Sequence, residues 1–368
     1  MNEQKIIISV TNDLVTDQRV NRICSSFMDL NYEVLLVGRK LKNSLPVDRK
    51  YKTRRFNLWF NKGFLFYANY NLRLFFFLLF SKSTLLWSND LDTLPANYLV
   101  SKLKGVKLIY DSHEYFTEVP ELVNRPKIQH IWQTIEKLIF PKLKNVVTVS
   151  QQIADEYKTN YGVNITVIRN LPIKIKEHYE VRNIKIDGKK IILYQGWVNE
   201  KRGLEPLIEA MQQIENAHLY IIGDGDIFDK IVQQVLDLKL QDKVTLLGKI
   251  PFEFLPHYTH QADLGVSLEE NVGLNYKYAL PNKLFDYINA GVPVLTADLP
   301  EMKKIVSMYK IGETISNITP SAIAEKINEI LNDNDQLTTY ATNCLKAKEE
   351  LCWENEQQKL YALVNEIK

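Results

Sequence analysis

The sequence predicts two α/β domains in tandem, each a doubly wound, mainly parallel sheet flanked by helices. Short β-branched or apolar runs alternate with helix-length amphipathic segments, which is the pattern of repeated βαβ units. The alternation halts in a polar, charged stretch after Asn170-Leu171-Pro172 and restarts at Ile191. A chain of 368 residues with 45% hydrophobic and 24% charged content also exceeds what one compact core holds.

In chain order, strand-like runs fall at Lys5 to Val10, Glu33 to Val37, Leu85 to Trp87, Lys107 to Tyr110 and Asn145 to Val149, with a helix from Arg19 to Leu30. The second series runs through Ile191 to Tyr194, Leu219 to Ile222, Val244 to Leu247, Leu264 to Ser267 and Val292 to Thr296. Helices are expected from Leu204, from Lys283 to Ala290 and onward to the C-terminus. The expected domains are 1–175 and 191–350, joined by a linker over 176–190 and followed by a C-terminal helix over 351–368 that packs back on the first. Ligands of such sheets bind beyond the strand C-termini, so a central cleft between the domains is the expected site.

Composition narrows the function. Cys24, Cys344 and Cys352 form no C-x-x-C pair, which argues against a zinc or redox centre and for a reducing compartment. The N-terminus lacks the apolar core of a signal peptide, so a cytoplasmic protein is expected. Residues 1–180 hold 26 Lys and Arg against 17 Asp and Glu, and the remainder 20 against 27. A basic first half suits an anionic ligand or surface as well as a generic solvated one. The run from Leu74 to Phe80 is too short to span a membrane. Its simpler reading is a buried helix. With Arg49, Lys50, Lys52, Arg54, Arg55 and Lys62 before it, peripheral contact with an anionic leaflet is the second reading.

Residues that follow strands carry the chemistry. The first strand leads into Thr11 to Arg19 without a G-x-G-x-x-G, which disfavours nicotinamide and flavin binding. Asp17 suits a helix cap, and Arg19 suits either a solvated position or a clamp on an anion. Asp90 and Asp92 superficially resemble a carboxylate metal motif, but helix capping is the stronger reading, and no metal site is expected. Asp111-Ser112-His113-Glu114 is a dense polar cluster at a strand end; an Asp111–His113 hydrogen bond of purely structural purpose is its alternative.

In the second half, Gly196 and Gly203 flank Lys201 and Arg202 at a strand-to-helix junction, an arrangement suited to a diphosphate, with a plain loop carrying solvated basic residues as its alternative. Gly223 and Gly225 mark a tight turn. Pro281 suits a helix start, with Lys283 and Asp286 three residues apart after it. That pair is either an i,i+3 salt bridge or a lysine on phosphate with an aspartate on a sugar hydroxyl pair.

Taken together, Asp17 to Arg22, Tyr110 to Phe116, Val149-Ser150, Ile168 to Pro172, Gln195 to Leu204, Ile221 to Asp226, Ala262 to Ser267 and Pro281 to Pro293 resemble the retaining glycosyltransferases of family 4, which have the GT-B fold of two Rossmann-like domains. The resemblance covers nearly the whole chain. It implies transfer of a sugar from a nucleoside diphosphate sugar, with UDP favoured and GDP as alternative, to a hydroxyl, with no obligatory cofactor. By it, His113 contacts the donor sugar, Arg202 lies beside the diphosphate, and Asp286 stands where a glutamate binds the donor ribose. The first glutamate of the E-x7-E pattern falls on Tyr278, leaving Glu269 or Glu270 to supply it, and Trp197 replaces a phosphate-binding arginine for which Lys283 compensates.

The expected catalytic residues are therefore His113, Arg202 and Lys283. Donor contacts fall to Gly196, Gly203, Gly225, Asp286, Glu269, Glu270 and Ile250, and acceptor-side contacts to Asp13, Arg19 and Glu114. The expected acceptor is a glycan or lipid-linked intermediate of bacterial surface polysaccharide synthesis, reached at the inner face of the cell membrane, with no nucleic-acid partner. A catalytically silent membrane scaffold and a nucleotide-sugar epimerase are the alternatives; donor turnover discriminates the first.

Overall fold

The computed structural model describes residues 4–174 and 180–367; residues 175–179, which include the start of the expected linker, lie outside the described residues. The chain divides into two compact units, residues 1–170 with 356–368, and 171–355.

The first unit is built on seven strands among the described residues: β1 (Lys5–Ser9), β2 (Glu33–Lys40), β3 (Lys52–Asn57), β4 (Leu85–Asn89), β5 (Lys107–Ser112), β6 (Asn145–Thr148) and β7 (Ile165–Val167). They form one parallel sheet in the order β3-β2-β1-β4-β5-β6-β7. Ile6, Ile7, Ile8, Leu86 and Trp87 are buried, as strands covered on both faces require. Asp17 caps the helix Gln18–Asp29 by accepting from the Val20 amide. The chain returns to this unit at Glu356, whose buried carboxylate accepts from the Arg169 amide and guanidinium at 2.8–3.2 Å.

The second unit has β8 (Lys190–Gln195), β9 (Ala217–Ile222), β10 (Val244–Gly248), β11 (Leu264–Ser267), β12 (Val294–Ala297) and β13 (Gly312–Ile315). These also pair in parallel, in the order β10-β9-β8-β11-β12-β13. In both sheets the order reverses beside the unit's first strand. The switch points, where such sheets bind ligands, therefore lie at the C-terminal ends of β1 and β4, and of β8 and β11.

One expectation is corrected. The apolar run belongs to a longer helix, Gly63–Phe80, of which only Phe66, Asn69, Tyr70, Leu74 and Leu78 are buried. Its apolar residues occupy every side of the helix, whereas the sheet and the helix Asp90–Lys104 cover a single stripe,. Phe64 and Phe80 are left 72% and 82% exposed, and Trp59 just before the helix 77%. The three cysteines are free, buried thiols.

Candidate active site

At the first switch point, Asn89 Nδ2 donates to the Ser9 carbonyl and ties β4 to β1. The helix Asp90–Lys104 starts at once, and its first turn sets Asp92 against Thr11, whose Oγ donates at 2.6 Å. Neither aspartate takes the capping role expected of it: the cap position is Asn89, with no side-chain cap bond. Asp90 reaches sideways and accepts from the His113 amide at 2.9 Å. Burial lifts the carboxyl of Asp90 to about 7 and that of Asp92 to about 6 against the pull of the neighbouring His113.

Asp111, next to the last residue of β5, is completely buried. It accepts from Arg19 Nη2 at 2.8 Å and Nε at 3.2 Å, and from His113 Nε2 at 3.1 Å. The two roles weighed for Arg19 give way to a third: it is buried, with its remaining arm donating to the Ile168 carbonyl at 2.8 Å. Burial disfavours charge on Asp111, but Arg19 and His113 outweigh it and hold the carboxyl at about 2. Of the other acceptor-side candidates, Asp13 accepts from the Val15 amide and Ser44 Oγ in the loop after β1. Glu114 is exposed, its carbonyl bonded to Ser112 Oγ.

In the second unit, β8 delivers Gln195 and Gly196. Gly203 has φ +73, and a Cβ there would lie 2.2 Å from the Leu268 carbonyl oxygen. Only glycine lets the start of the helix Leu204–Ala210 dock this closely on the chain leaving β11,. Arg202 is thereby held beside Glu269, its Nη1 at 3.7 Å from Oε1. The helix Asn282–Ala290 brings Lys283 to the same oxygen, donating at 3.0 Å. Ser267 Oγ donates to the other oxygen at 2.7 Å. Lys283 Nζ stands 4.0 Å over the Tyr194 ring and the Arg202 guanidinium 4.8 Å over Tyr276. Burial raises the Glu269 carboxyl, but Lys283, Arg202 and Ser267 more than offset it and keep the group below its ordinary value.

The i,i+3 reading of Lys283 and Asp286 is replaced by this arrangement. Lys283 pairs with Glu269, while Asp286 accepts from Gln195 Nε2 at 3.0 Å, with Gln195 Oε1 held in turn by Thr259 Oγ. The two glutamates also separate: Glu269 lies inward between the cations, and Glu270 pairs with Lys201 at 3.2 Å nearer the surface. Gly196, at φ +130, would bring a Cβ to 3.4 Å from Lys283 Cε. Gly225 is glycine for closeness rather than for a turn, since a Cβ would lie 2.4 Å from the Val198 carbonyl. Ile250 follows β10 and packs half-buried against the core. Gln195, Ser267, Tyr194 and Asp90 were not among the expected site residues. The polar Gln195 at a strand end beside a glycine was the available signal. Among the described residues no group of three or more His, Cys, Asp or Glu is placed to hold a metal ion.

Residues 17–171 match the model of Glycosyltransferase Family 4, and residues 176–346 that of Glycosyl transferases group 1. The chain belongs to the family 4-like glycosyltransferases of the GT-B fold. This transferase is 21% identical over 264 residues to the alpha-D-kanosaminyltransferase of Streptomyces kanamyceticus, covering 67% of each chain. It is 24% identical over 196 residues to a chitobiosyldiphosphodolichol beta-mannosyltransferase of Candida albicans, covering 50% of this chain but 42% of that protein. Among solved structures, sucrose-phosphate synthase from Thermosynechococcus elongatus superimposes with a TM-score of 0.81 at 18% identity, over 99% of both chains. HepE of Anabaena, in complex with UDP-glucose, does so with a TM-score of 0.76 at 15% identity, over 99% of this chain and 100% of that one.

Proposed function

We propose that the glycosyltransferase moves a sugar from a nucleoside diphosphate sugar, UDP-linked before GDP-linked, to a hydroxyl of a glycan or lipid-linked acceptor in bacterial surface polysaccharide synthesis, with retention at the anomeric carbon. The observation that carries the donor assignment is the trio Glu269, Lys283 and Arg202, a net single positive charge fixed at a switch point. As the bond from the anomeric carbon to the phosphate oxygen breaks, negative charge grows on the diphosphate. Pre-positioned cations stabilise it where it develops. The acceptor oxygen forms the new bond, and its proton passes to the departing phosphate oxygen, so no carboxylate nucleophile is needed. A UDP-glucose complex of a structural neighbour and a relative named for a diphosphodolichol substrate support the donor and the lipid-linked acceptor respectively.

The helix Gly63–Phe80 supports a place at the inner face of the membrane. Residues 49–82 hold eight Lys and Arg and no Asp or Glu. A surface groove of about 600 Å³ lined by Arg54, Trp59, Leu72, Arg73, Phe76 and Phe80 opens along this helix. Arg73 lies over the Trp59 ring at 4.8 Å and Arg54 over Phe77 at 4.9 Å. Exposed aromatics rimmed by cations match an anionic leaflet in both polarity and charge.

A thermal-shift panel of UDP, GDP, ADP and TDP tests the donor reading. Stabilisation by one nucleotide that is lost in Arg202→Ala is expected. No shift with any of them returns the silent scaffold.

A further inference from the structure

Both ring nitrogens of His113 face carboxylates. Nε2 is 3.1 Å from Asp111 Oδ2, and Nδ1 is 3.5 Å from Asp90 Oδ2. A neutral imidazole has one N–H and one lone pair, so one of the two carboxylates would meet a lone pair. With both carboxyls ionised, as Asp111 is throughout and Asp90 is above about pH 7, only the doubly protonated ring satisfies both. Neither carboxylate is free to turn away: Asp111 is gripped by two nitrogens of Arg19, and Asp90 Oδ1 is occupied by the His113 amide.

We propose that Arg19, Asp111 and Asp90 are positioning residues that hold His113 as an imidazolium of fixed orientation. His113 then meets its ligand as a permanent cation, its Nε2–H held by Asp111 and its Nδ1–H facing Asp90, and acts neither as a base nor as a hydrogen-bond acceptor. The ligand's identity rests on the donor reading above; the protonation state does not.

The surrounding charges agree with the geometry. Burial opposes a charged ring, and Arg19 opposes it weakly, but Asp111 and Asp90 outweigh both and raise His113 from 6.5 to about 9. Asp92, on the same helix as Asp90, adds a carboxyl that feels His113 and Arg39. The raised value gives the sign for His113, whose contribution to stability is lost as pH rises through about 9, while Asp90, lifted to about 7, faces the ring as a carboxylate only above that pH,.

Histidine-selective ¹⁵N labelling of the full chain, without ligand, tests the clamp. Six histidines make the signal assignable by difference with His113→Gln. Imidazolium shifts at both His113 nitrogens are expected at pH 7.5, with loss of the proton near pH 9. Asp111→Asn and, should that variant fold poorly, Asp90→Asn should move the midpoint down toward 6.5. A neutral tautomer at pH 7 in the wild type, or an unmoved midpoint in the folded variants, overturns the proposal. A clamped imidazolium in a chain that binds no nucleotide supports the clamp and removes only the donor assignment.

Discussion

Replacing Glu269 by glutamine should weaken the second unit and strengthen its hold on a diphosphate. Glu269 Oε1 is 3.0 Å from Lys283 Nζ and 3.7 Å from Arg202 Nη1, and the carboxylate is wholly buried. Removing one partner of a buried ion pair costs about 3–5 kcal/mol, because the remaining charge stays desolvated. Glutamine retains the shape, with its amide oxygen accepting from Lys283 and its NH2 group turned to Ser267 Oγ, which then accepts, so about 3 kcal/mol is expected,. In a unit of this size that lowers the melting transition by about 6–12 °C, readable by scanning calorimetry. Because Glu269 is held below the ordinary 4.5, its contribution is full above that pH and fades as pH falls through the folded value. Wild-type and variant curves should therefore converge on acidification. Meanwhile the net charge of the trio doubles, and UDP affinity by isothermal titration should rise about tenfold, or about 1.4 kcal/mol. A variant that melts with the wild type, or binds UDP more weakly, refutes the view that Glu269 restrains two ligand-facing cations.

Arg202→Ala and Lys283→Ala should each lower kcat/KM by about 2–4 kcal/mol, as losing one charge-stabilising donor does; wild-type turnover by both removes the phosphate assignment. Gly203→Ala should destabilise the second unit by at least about 2 kcal/mol, since a left-handed φ and a 2.2 Å approach to a carbonyl leave a methyl group no room,; a urea midpoint equal to wild type would contradict this. Phe64→Ser with Phe80→Ser should abolish co-sedimentation with anionic liposomes at low salt while leaving the melting temperature unchanged, because both rings face solvent. Sedimentation equal to wild type, or none by the wild type itself, ends the membrane reading.

The interior strands were readable because burial on both faces demands unbroken apolar runs, as in Ile6-Ile7-Ile8 and Ile191-Ile192-Leu193,. The strands that escaped, β3, β7 and β13, lie at sheet edges. An edge strand has one neighbour and a solvated flank, so Lys52-Thr53-Arg54-Arg55 reads as surface charge rather than as a strand. The site divides in the same way. Lys283 and Arg202 stand out by local context, at helix starts beyond strands. Their shared partner does not, because adjacent Glu269 and Glu270 differ only in which side of the chain they leave. The burial of Arg19 was hidden as well, since its carboxylate lies 92 residues away at Asp111. The helix Gly63–Phe80 misled because composition reports how apolar a segment is and is silent on how much of it the rest of the unit covers.

Each unit solves the same electrostatic problem with the same device. A cation aimed at a ligand must be fixed before the ligand arrives, yet a long side chain alone in a crevice is neither ordered nor cheap to desolvate. In both units a fully buried carboxylate bridges two cations. Asp111 joins Arg19 to His113, and Glu269 joins Lys283 to Arg202. One cation of each trio is almost sealed, with side-chain exposures of 4% for Arg19 and 8% for Lys283, and the other is more open, at 16% for His113 and 24% for Arg202. The sealed cation keeps the carboxylate ionised, and the carboxylate orients the open cation and, in the first unit, keeps the imidazole charged. Each trio then presents about one positive charge that needs no reorganisation when negative charge develops, the condition under which electrostatic stabilisation contributes most to rate. The sealed members should accordingly be as costly to neutralise as the open ones. Lys283→Met, which keeps the volume and the stacking on Tyr194, should lose turnover as severely as Arg202→Ala, whereas a lysine serving only to fill the core would tolerate it.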